Sequence, residues 1–224
     1  PIGGKPILTR LVEDFRQYNI RDITVVAGYK PETITIDGIA LMHNPDFENS
    51  KDLATLAFAL DKVADNTLIM YGDLLLRRYI IRDLIESDAP ITIVVDSNVA
   101  QKIAESSSGD YVSCSVPDNR SVFRPEVRLI KCLSGAVGNS PEAVHGQWIG
   151  ALLIRGAGQE LFKEGFKRLQ NRPDFKNLSV TDLLNNLVVN GYSPRVMYVS
   201  GDWLDVNHLP DVERAAAFTQ GLTY

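Results

Sequence analysis

Short apolar runs alternating with amphipathic stretches predict an α/β chain. The expected architecture is a three-layer α/β/α domain with a mostly parallel sheet and a small antiparallel insertion. Three observations carry that expectation. Ile23-Thr24-Val25-Val26-Ala27, Thr67-Leu68-Ile69-Met70-Tyr71 and Ile91-Thr92-Ile93-Val94-Val95 are β-branched and nearly continuous in apolar character, as strands covered on both faces are. The stretches between them repeat apolar residues at the 3.6-residue period of a helix. From about residue 97 to 145 the alternation breaks, Ser, Asn, Gly and Pro become frequent, and Tyr111-Val112-Ser113-Cys114-Ser115-Val116 reads as a short alternating strand.

In chain order, Leu8, Leu11, Val12, Phe15 and Tyr18 share one face of a helix opposite Arg10, Glu13, Asp14 and Gln17. Strand 23–27 closes at Gly28, and Ile39-Ala40-Leu41-Met42 ends at the turn signal Asn44-Pro45. Leu53, Leu56, Ala57, Leu60 and Val63 form a second helical stripe. Strand 67–71 stops at Gly72, residues 79–85 are helical, and strand 91–95 follows. After the insertion, residues 151–154 regain core-strand character. Helices are expected at 159–169 and 180–189, the latter with Ser179 as N-cap and Asp182 three residues on, a capping-box start. Residues 196–199 make a late strand and 210–218 a last helix. No repeat or linker divides the chain, so 1–224 is read as one domain.

The 224 residues carry 23 Lys and Arg against 28 Asp and Glu, a net charge of −5, and 45% hydrophobic residues. That composition suits a folded domain with a sizeable core and argues against disorder. Without a basic stripe, nucleic acid is not an expected partner. No apolar run reaches the ~18 residues of a membrane span, and no signal peptide is legible, so neither a membrane nor secretion is expected. The expected location is the cytoplasm, where Cys114 and Cys132, far apart and in no CxxC pair, would be reduced core residues.

The strongest chemical signal is Leu68-Ile69-Met70-Tyr71-Gly72-Asp73, an apolar strand ending in Gly and then a carboxylate. In open α/β sheets ligands sit beyond the carboxyl ends of the strands, where Asp73 would meet a metal ion or a hydroxyl. Val199-Ser200-Gly201-Asp202-Trp203-Leu204-Asp205-Val206-Asn207 repeats the pattern, with Trp203 as a packing anchor. Two strand-end carboxylates suit Mg²⁺, which takes its remaining ligands from phosphates and water. Tyr29-Lys30 follows another strand end, within reach of a nucleotide or an acceptor, or free in a solvated loop. His43, His145 and His208 show no metal spacing, and Arg77-Arg78 reads as a solvent-facing helix start, with attraction of an anionic acceptor as the alternative.

The run Pro1-Ile2-Gly3-Gly4-Lys5-Pro6-Ile7-Leu8, the helix after it and Val26-Ala27-Gly28-Tyr29 resemble the start of the nucleotidyltransferases that activate sugar phosphates, phosphocholine and phosphonates. The resemblance continues through Asn44-Pro45, residues 49–60, Tyr71-Gly72-Asp73, Gly146-Gln147-Trp148-Ile149-Gly150 and Trp203-Leu204-Asp205-Val206-Asn207. It is closest to the small cytidylyltransferases, and within them to the phosphonate enzymes, some of which are fused to phosphoenolpyruvate mutase. The resemblance implies a Rossmann-like nucleotidyltransferase fold, CTP or another NTP as donor, a small phosphonate or phosphate acceptor, and a possible mutase partner domain; a sugar-1-phosphate nucleotidyltransferase is the runner-up, and a non-catalytic domain of the same fold that binds a nucleotide or a partner is the alternative from another class. It implies Asp73 and Asp205 as catalytic ligands of Mg²⁺, and Gly72, Tyr29 and Lys30 beside the nucleotide. It puts Asn44, Asn49, Ser50, Asp52 and Gln147 beside the acceptor. In such enzymes a first strand and a Gly-rich phosphate loop precede the position of Pro1, and they are expected upstream here. Lys5 is read as structural.

Overall fold

The computed structural model describes residues 2–98, 109–121, 125–133, 144–207 and 209–220. Helix α1 (Ile7–Gln17) forms where the apolar stripe predicts it and buries Leu11 and Val12. Strands β1 (Thr24–Ala27) and β2 (Ala40–His43) follow and pair in parallel, with Thr24 opposite Ala40 and Ala27 opposite His43. The second stripe is not one helix. It makes α2 (Asp52–Leu56) and then a 3₁₀ stretch, Ala57–Lys62, whose Ala59 has φ −115° and ψ 15°. The 3.6-residue period survives that break because both pieces turn their apolar residues to the same core, so the sequence reads through it.

β3 (Thr67–Met70), β5 (Ile91–Asp96), β8 (Gly146–Ile154) and β9 (Arg195–Val199) build the main sheet. β8 lies at its centre. It runs antiparallel to β3, from Thr67 opposite Ile154 to Met70 opposite Ala151, and antiparallel to β5 on its other edge. β3 and β5 therefore point the same way, and β9 runs parallel to β5. The result is a mixed α/β fold with a mostly parallel central sheet, in which β8 is the reversal. β6 (Tyr111–Cys114) and β7 (Leu129–Leu133) form the expected antiparallel insertion and join the sheet through the start of β8, with Tyr111 opposite Gln147. The remaining expectations for 97–145 fall partly outside the described residues.

Two apolar clusters cover the sheet. On one face α4 (Gly158–Gln170) and α5 (Val180–Val189) set Phe162, Phe166, Leu183 and Leu184 against Ile91, Ile93, Leu152 and Ile154. On the other, α3 (Arg78–Ile85) sets Ile80, Ile81 and Leu84 against Val94, Ala151 and Leu153. Each such side chain taken fully out of water stabilises the fold by roughly 1.5–3 kcal/mol. The capping box of α5 is present: the Ser179 N–H donates to Asp182 at 2.8 Å. Cys114 and Cys132 are buried free thiols.

Two features lie outside the sequence reading. Leu74–Leu76 is a strand, β4, and it pairs antiparallel with β10 (Trp203–Asp205), so Asp205 sits in a separate two-stranded ribbon rather than at the end of a main-sheet strand. β1 and β3 each pair on one edge only among the described residues, and a groove of about 720 Å³ runs between them. No helix among the described residues is long and apolar enough to cross a membrane.

Candidate active site

Asp73 follows the end of β3 and opens the turn into β4. In the β4/β10 ribbon Asp205 stands opposite Leu74, and the Val206 N–H donates to the Asp73 carbonyl at 3.2 Å, so the two carboxylates are neighbours. Asp73 Oδ1 is buried and has no hydrogen-bond partner. Burial pushes the Asp73 carboxyl above the usual carboxylate range. A backbone hydrogen bond pulls it back in part, and the charge of Asp205 adds to the upward push. Asp205 is exposed and accepts a hydrogen bond from Asn207 Nδ2 at 3.1 Å.

The ribbon is held by a residue that sequence reasoning passed over. Asp96, 1% exposed at the end of β5, accepts from the Trp203 indole N–H at 2.8 Å through Oδ2. Its Oδ1 accepts from the N–H groups of Gly201 and Asn98, each at 3.0 Å. Asp96 thus ties β10 to the main sheet and fixes Asp205 through Trp203. Its only sequence signal is a carboxylate closing the apolar run of β5.

A second polar group gathers beside the first. Asp52 Oδ2 accepts a short hydrogen bond from the Tyr71 hydroxyl and one from the Val180 N–H at 3.2 Å, at the amino end of α5. The Trp148 N–H donates to the Asp110 carbonyl at 2.8 Å, and the Tyr71 and Trp148 rings meet edge to face at 5.4 Å. Burial first, and then the charge of Asp52, raise Asp110 to about 6, with Lys51 opposing and Asp182 assisting. Tyr71 is pushed above its ordinary value by burial and then by Asp52, with Asp110 and Asp73 contributing. Tyr71 therefore lies between the Asp73 pair and the Asp52 and Asp110 group. Gly150 makes room for it: at φ +83°, a Cβ there would come within 2.2 Å of the Tyr71 ring.

The other predicted residues divide. Gln147 is half-buried on β8, opposite both Asp96 and Tyr111, which puts it next to Asp110. Gly72 is exposed between Tyr71 and Asp73. Asn44, expected beside the acceptor, has its carboxamide engaged within the protein. It is 1% exposed, its Nδ2 donates to Ser50 Oγ at 3.0 Å and Thr55 Oγ1 at 2.9 Å, and its Oδ1 accepts from the Asp46 N–H at 3.0 Å. With its carboxamide so engaged, Asn44 braces the turn before α2. Ser50 is used in the same brace, donating to the Asp46 carbonyl at 2.8 Å, and Asn49 Nδ2 donates to Asp46 Oδ1 at 3.0 Å. Of that segment, Asp52 is the residue joined to the acidic group. Tyr29 is 70% exposed, and Lys30, at φ 44°, sets its ammonium 5.1 Å from the Tyr29 ring centroid. Arg78 pairs with Asp14 at 2.8 Å, the Arg77 guanidinium lies 4.7 Å from the Phe218 ring centroid, and Lys5 pairs with Glu13 at 2.7 Å.

Among the described residues no group of three or more His, Cys, Asp or Glu is arranged to hold a metal. Asp73 and Asp205 fit an ion that needs only two protein carboxylates and takes phosphate and water oxygens for the rest. The unpartnered Asp73 oxygen is the observation that favours such an ion.

A mostly parallel α/β sheet with carboxylates gathered past its strand ends defines a protein that handles ligands at that edge. The chain belongs to the MobA-like NTP transferase domain family, whose match spans residues 1–140. It is therefore a nucleotidyltransferase by family. No curated protein sequence matches it. Among solved structures it is similar to the CTP:phosphocholine cytidylyltransferase of Streptococcus pneumoniae, at 13% identity and TM-score 0.70, covering 98% of this chain and 87% of that one. It is similar also to a Bacillus anthracis structure described as a glucose-1-phosphate thymidylyltransferase, at 16% identity and TM-score 0.67, covering 100% and 86%. A third is the inositol-1-phosphate CTP transferase of T. maritima, at 11% identity and TM-score 0.68, covering 97% and 85%. At these identities the likeness is one of fold.

Proposed function

We propose that this protein transfers a cytidylyl group from CTP to a small phosphate or phosphonate that carries a cationic amine, such as phosphocholine or 2-aminoethylphosphonate. The observation that carries the reading is the neighbouring carboxylates Asp73 and Asp205, one with an unmet buried oxygen, next to an acidic group walled by Tyr71 and Trp148. Asp52 and Asp110 would meet the ammonium head, and the aromatic faces would cover its alkyl substituents. Gln147 would donate to an acceptor oxygen. The three solved relatives support a nucleotide and phosphate-ester chemistry, since a CTP:phosphocholine enzyme and a CTP:inositol phosphate enzyme are among them.

In the proposed reaction an acceptor oxygen attacks the α-phosphorus of CTP. The new P–O bond forms in line with the breaking bond to the β-phosphate, and pyrophosphate leaves with its electron pair. The attacking oxygen is already anionic, so no side chain need remove a proton from it. Mg²⁺, bound by Asp73 and Asp205, would supply charge neutralisation on the phosphates. Tyr71 and Asp52 would hold the head group so that the acceptor oxygen faces the donor, a contribution of position rather than of proton transfer.

Pyrophosphate release with CTP and Mg²⁺ tests the reading over a panel of phosphocholine, 2-aminoethylphosphonate, 2-hydroxyethylphosphonate, glucose-1-phosphate and N-acetylglucosamine-1-phosphate. The amine-bearing acceptors should be preferred by tenfold or more in kcat/KM. Preference for the sugar phosphates would overturn the acceptor assignment, and preference for another NTP would overturn the cytidine assignment.

A further inference from the structure

Lys51 stands between two parts of the site and is used by neither. On its amino side Asn44, Asp46 and Ser50 brace the turn before α2. On its carboxyl side Asp52 turns inward, to the Tyr71 hydroxyl and the Val180 N–H. The backbone of Lys51 is held from two directions. Its N–H donates to the Lys176 carbonyl at 2.8 Å, and its own carbonyl accepts from the Thr55 N–H at 3.1 Å. The residue is exposed, and its ammonium makes no hydrogen bond or ion pair among the described residues. Other lysines at this end of the molecule are engaged: Lys176 pairs with Asp46 at 2.6 Å, and Lys30 lies against the Tyr29 ring. Lys51 therefore presents an unengaged charge on a fixed root.

That charge is felt at the acidic group. Lys51 is close enough to Asp110 to oppose the upward push that burial and Asp52 exert on its carboxyl, and it does so without an ion pair. The chemistry of the site asks for such a cation. Asp52 and Asp110 suit an ammonium head, but together with Asp73 and Asp205 they surround the acceptor's place with carboxylates. An acceptor must also bring its phosphate or phosphonate there. The Mg²⁺ proposed for Asp73 and Asp205 would serve the donor's phosphates. The acceptor's anion would then face like charges, unless a cation of the protein's own stands beside them. An ammonium on a flexible four-carbon stem can reach an anion from a fixed backbone and follow it as it attacks.

We propose that Lys51 binds the anionic group of the acceptor, and that Lys51 with Asp52 and Asp110 selects small zwitterions, which carry an ammonium and a phosphate or phosphonate on one molecule. The inference rests on the proposed cytidylyl transfer and adds the residue that meets the acceptor's anion. The bonds of Asn44 and Ser50 then have a functional consequence, because the turn they brace leads directly into Lys51.

Titration calorimetry tests it with two probes, 2-aminoethylphosphonate and propylamine, in which a methyl group replaces the phosphonate. Mg²⁺ and the α,β-methylene analogue of CTP are present throughout, so that no transfer occurs. Wild-type protein should bind the phosphonate about tenfold or more tightly than the amine. Lys51→Gln should weaken the phosphonate by about tenfold or more, the loss of one charge-assisted contact, and should not weaken propylamine, because the charge removed repels an ammonium. In turnover with CTP, the same substitution should raise KM for 2-aminoethylphosphonate and leave KM for CTP unchanged. Equal weakening of both probes would make Lys51 a structural residue and overturn the proposal, as would a wild-type protein that does not prefer the phosphonate. A rise in KM for CTP in place of the acceptor would assign Lys51 to the donor and overturn it too. Selective loss of phosphonate binding in Lys51→Gln, with no pyrophosphate released by the wild-type protein, would uphold Lys51 as the anion's partner and overturn the transfer reading instead.

Discussion

At Asp73, burial raises the carboxyl while one of its oxygens finds no donor, and both conditions would be relieved by a cation. Asp73→Asn and Asp205→Asn are therefore expected to lower kcat about 10²-fold or more, if charge neutralisation supplies several kcal/mol, with folding intact by circular dichroism. Asp110 gives a pH signature. Its carboxyl is raised to about 6, so the folded protein holds a proton there that the unfolded chain has already released. The penalty of keeping it ionised is absent below the unfolded value, grows as pH rises, and is complete above about 6, at roughly 3 kcal/mol. Asp110→Asn should consequently raise stability in urea at pH 8 and have little effect at pH 4. In the proposed acceptor site the ionised form is the one that meets an ammonium, so KM for phosphocholine should fall as pH rises through 6, and Asp110→Asn should flatten that profile. Gly150→Ala adds a Cβ where the Tyr71 ring now lies, at a positive φ, and should cost about 1–3 kcal/mol in a denaturation midpoint shift.

At the scale of elements, the β4/β10 ribbon and the Asp96 brace decide where Asp205 stands. Trp203→Phe keeps an aromatic side chain but loses the pyrrole half of the indole, and with it the 2.8 Å hydrogen bond to Asp96. A loss of about 1–3 kcal/mol in stability is expected, together with a fall in kcat larger than any change in KM for the acceptor. That split separates a positioning role from a binding one. The ribbon was also where the sequence was least legible. Leu74-Leu75-Leu76 is too short to display a period, and its partner lies some 130 residues away, so nothing local announces a strand. Only the second half of β8, residues 151–154, was readable as a strand, and not in direction, because an apolar run looks the same either way along the chain. Local signals did better: the stripe of α1 and the Ser179 and Asp182 box appear where their spacing put them. The site divides on the same line. Asp73 and Asp205 were read as a pair from strand-end carboxylates and the family resemblance, and the structure makes them neighbours, while their metal-binding role belongs to the proposed function. The proximity of Tyr71, Asp52 and Asp110 arises from tertiary contacts among β3, α2, β8 and α5, and the bracing bonds of Asn44 were not legible because its partners Ser50 and Thr55 come from the following turn and helix.

At the scale of the whole molecule, β8 pairs with β3, β5 and β6, strands that precede it in the chain and that, among the described residues, do not pair with one another. During synthesis those three strands leave the ribosome before their common partner. Until residue 154 has emerged, β3 and β5 have no main-sheet partner on which to close their hydrogen bonds, β6 has only β7, and the apolar faces of 67–70 and 91–96 wait uncovered. Collapse of the main sheet should thus be a late and nearly single event rather than a gradual accretion. Limited proteolysis of chains released at residue 145 and at residue 200 would read this directly. The shorter is expected to be degraded at the rate of an unfolded polypeptide and the longer to resist. A premature stop before β8 would therefore leave a product that lacks the strand shared by β3, β5 and β6, and not a partial enzyme.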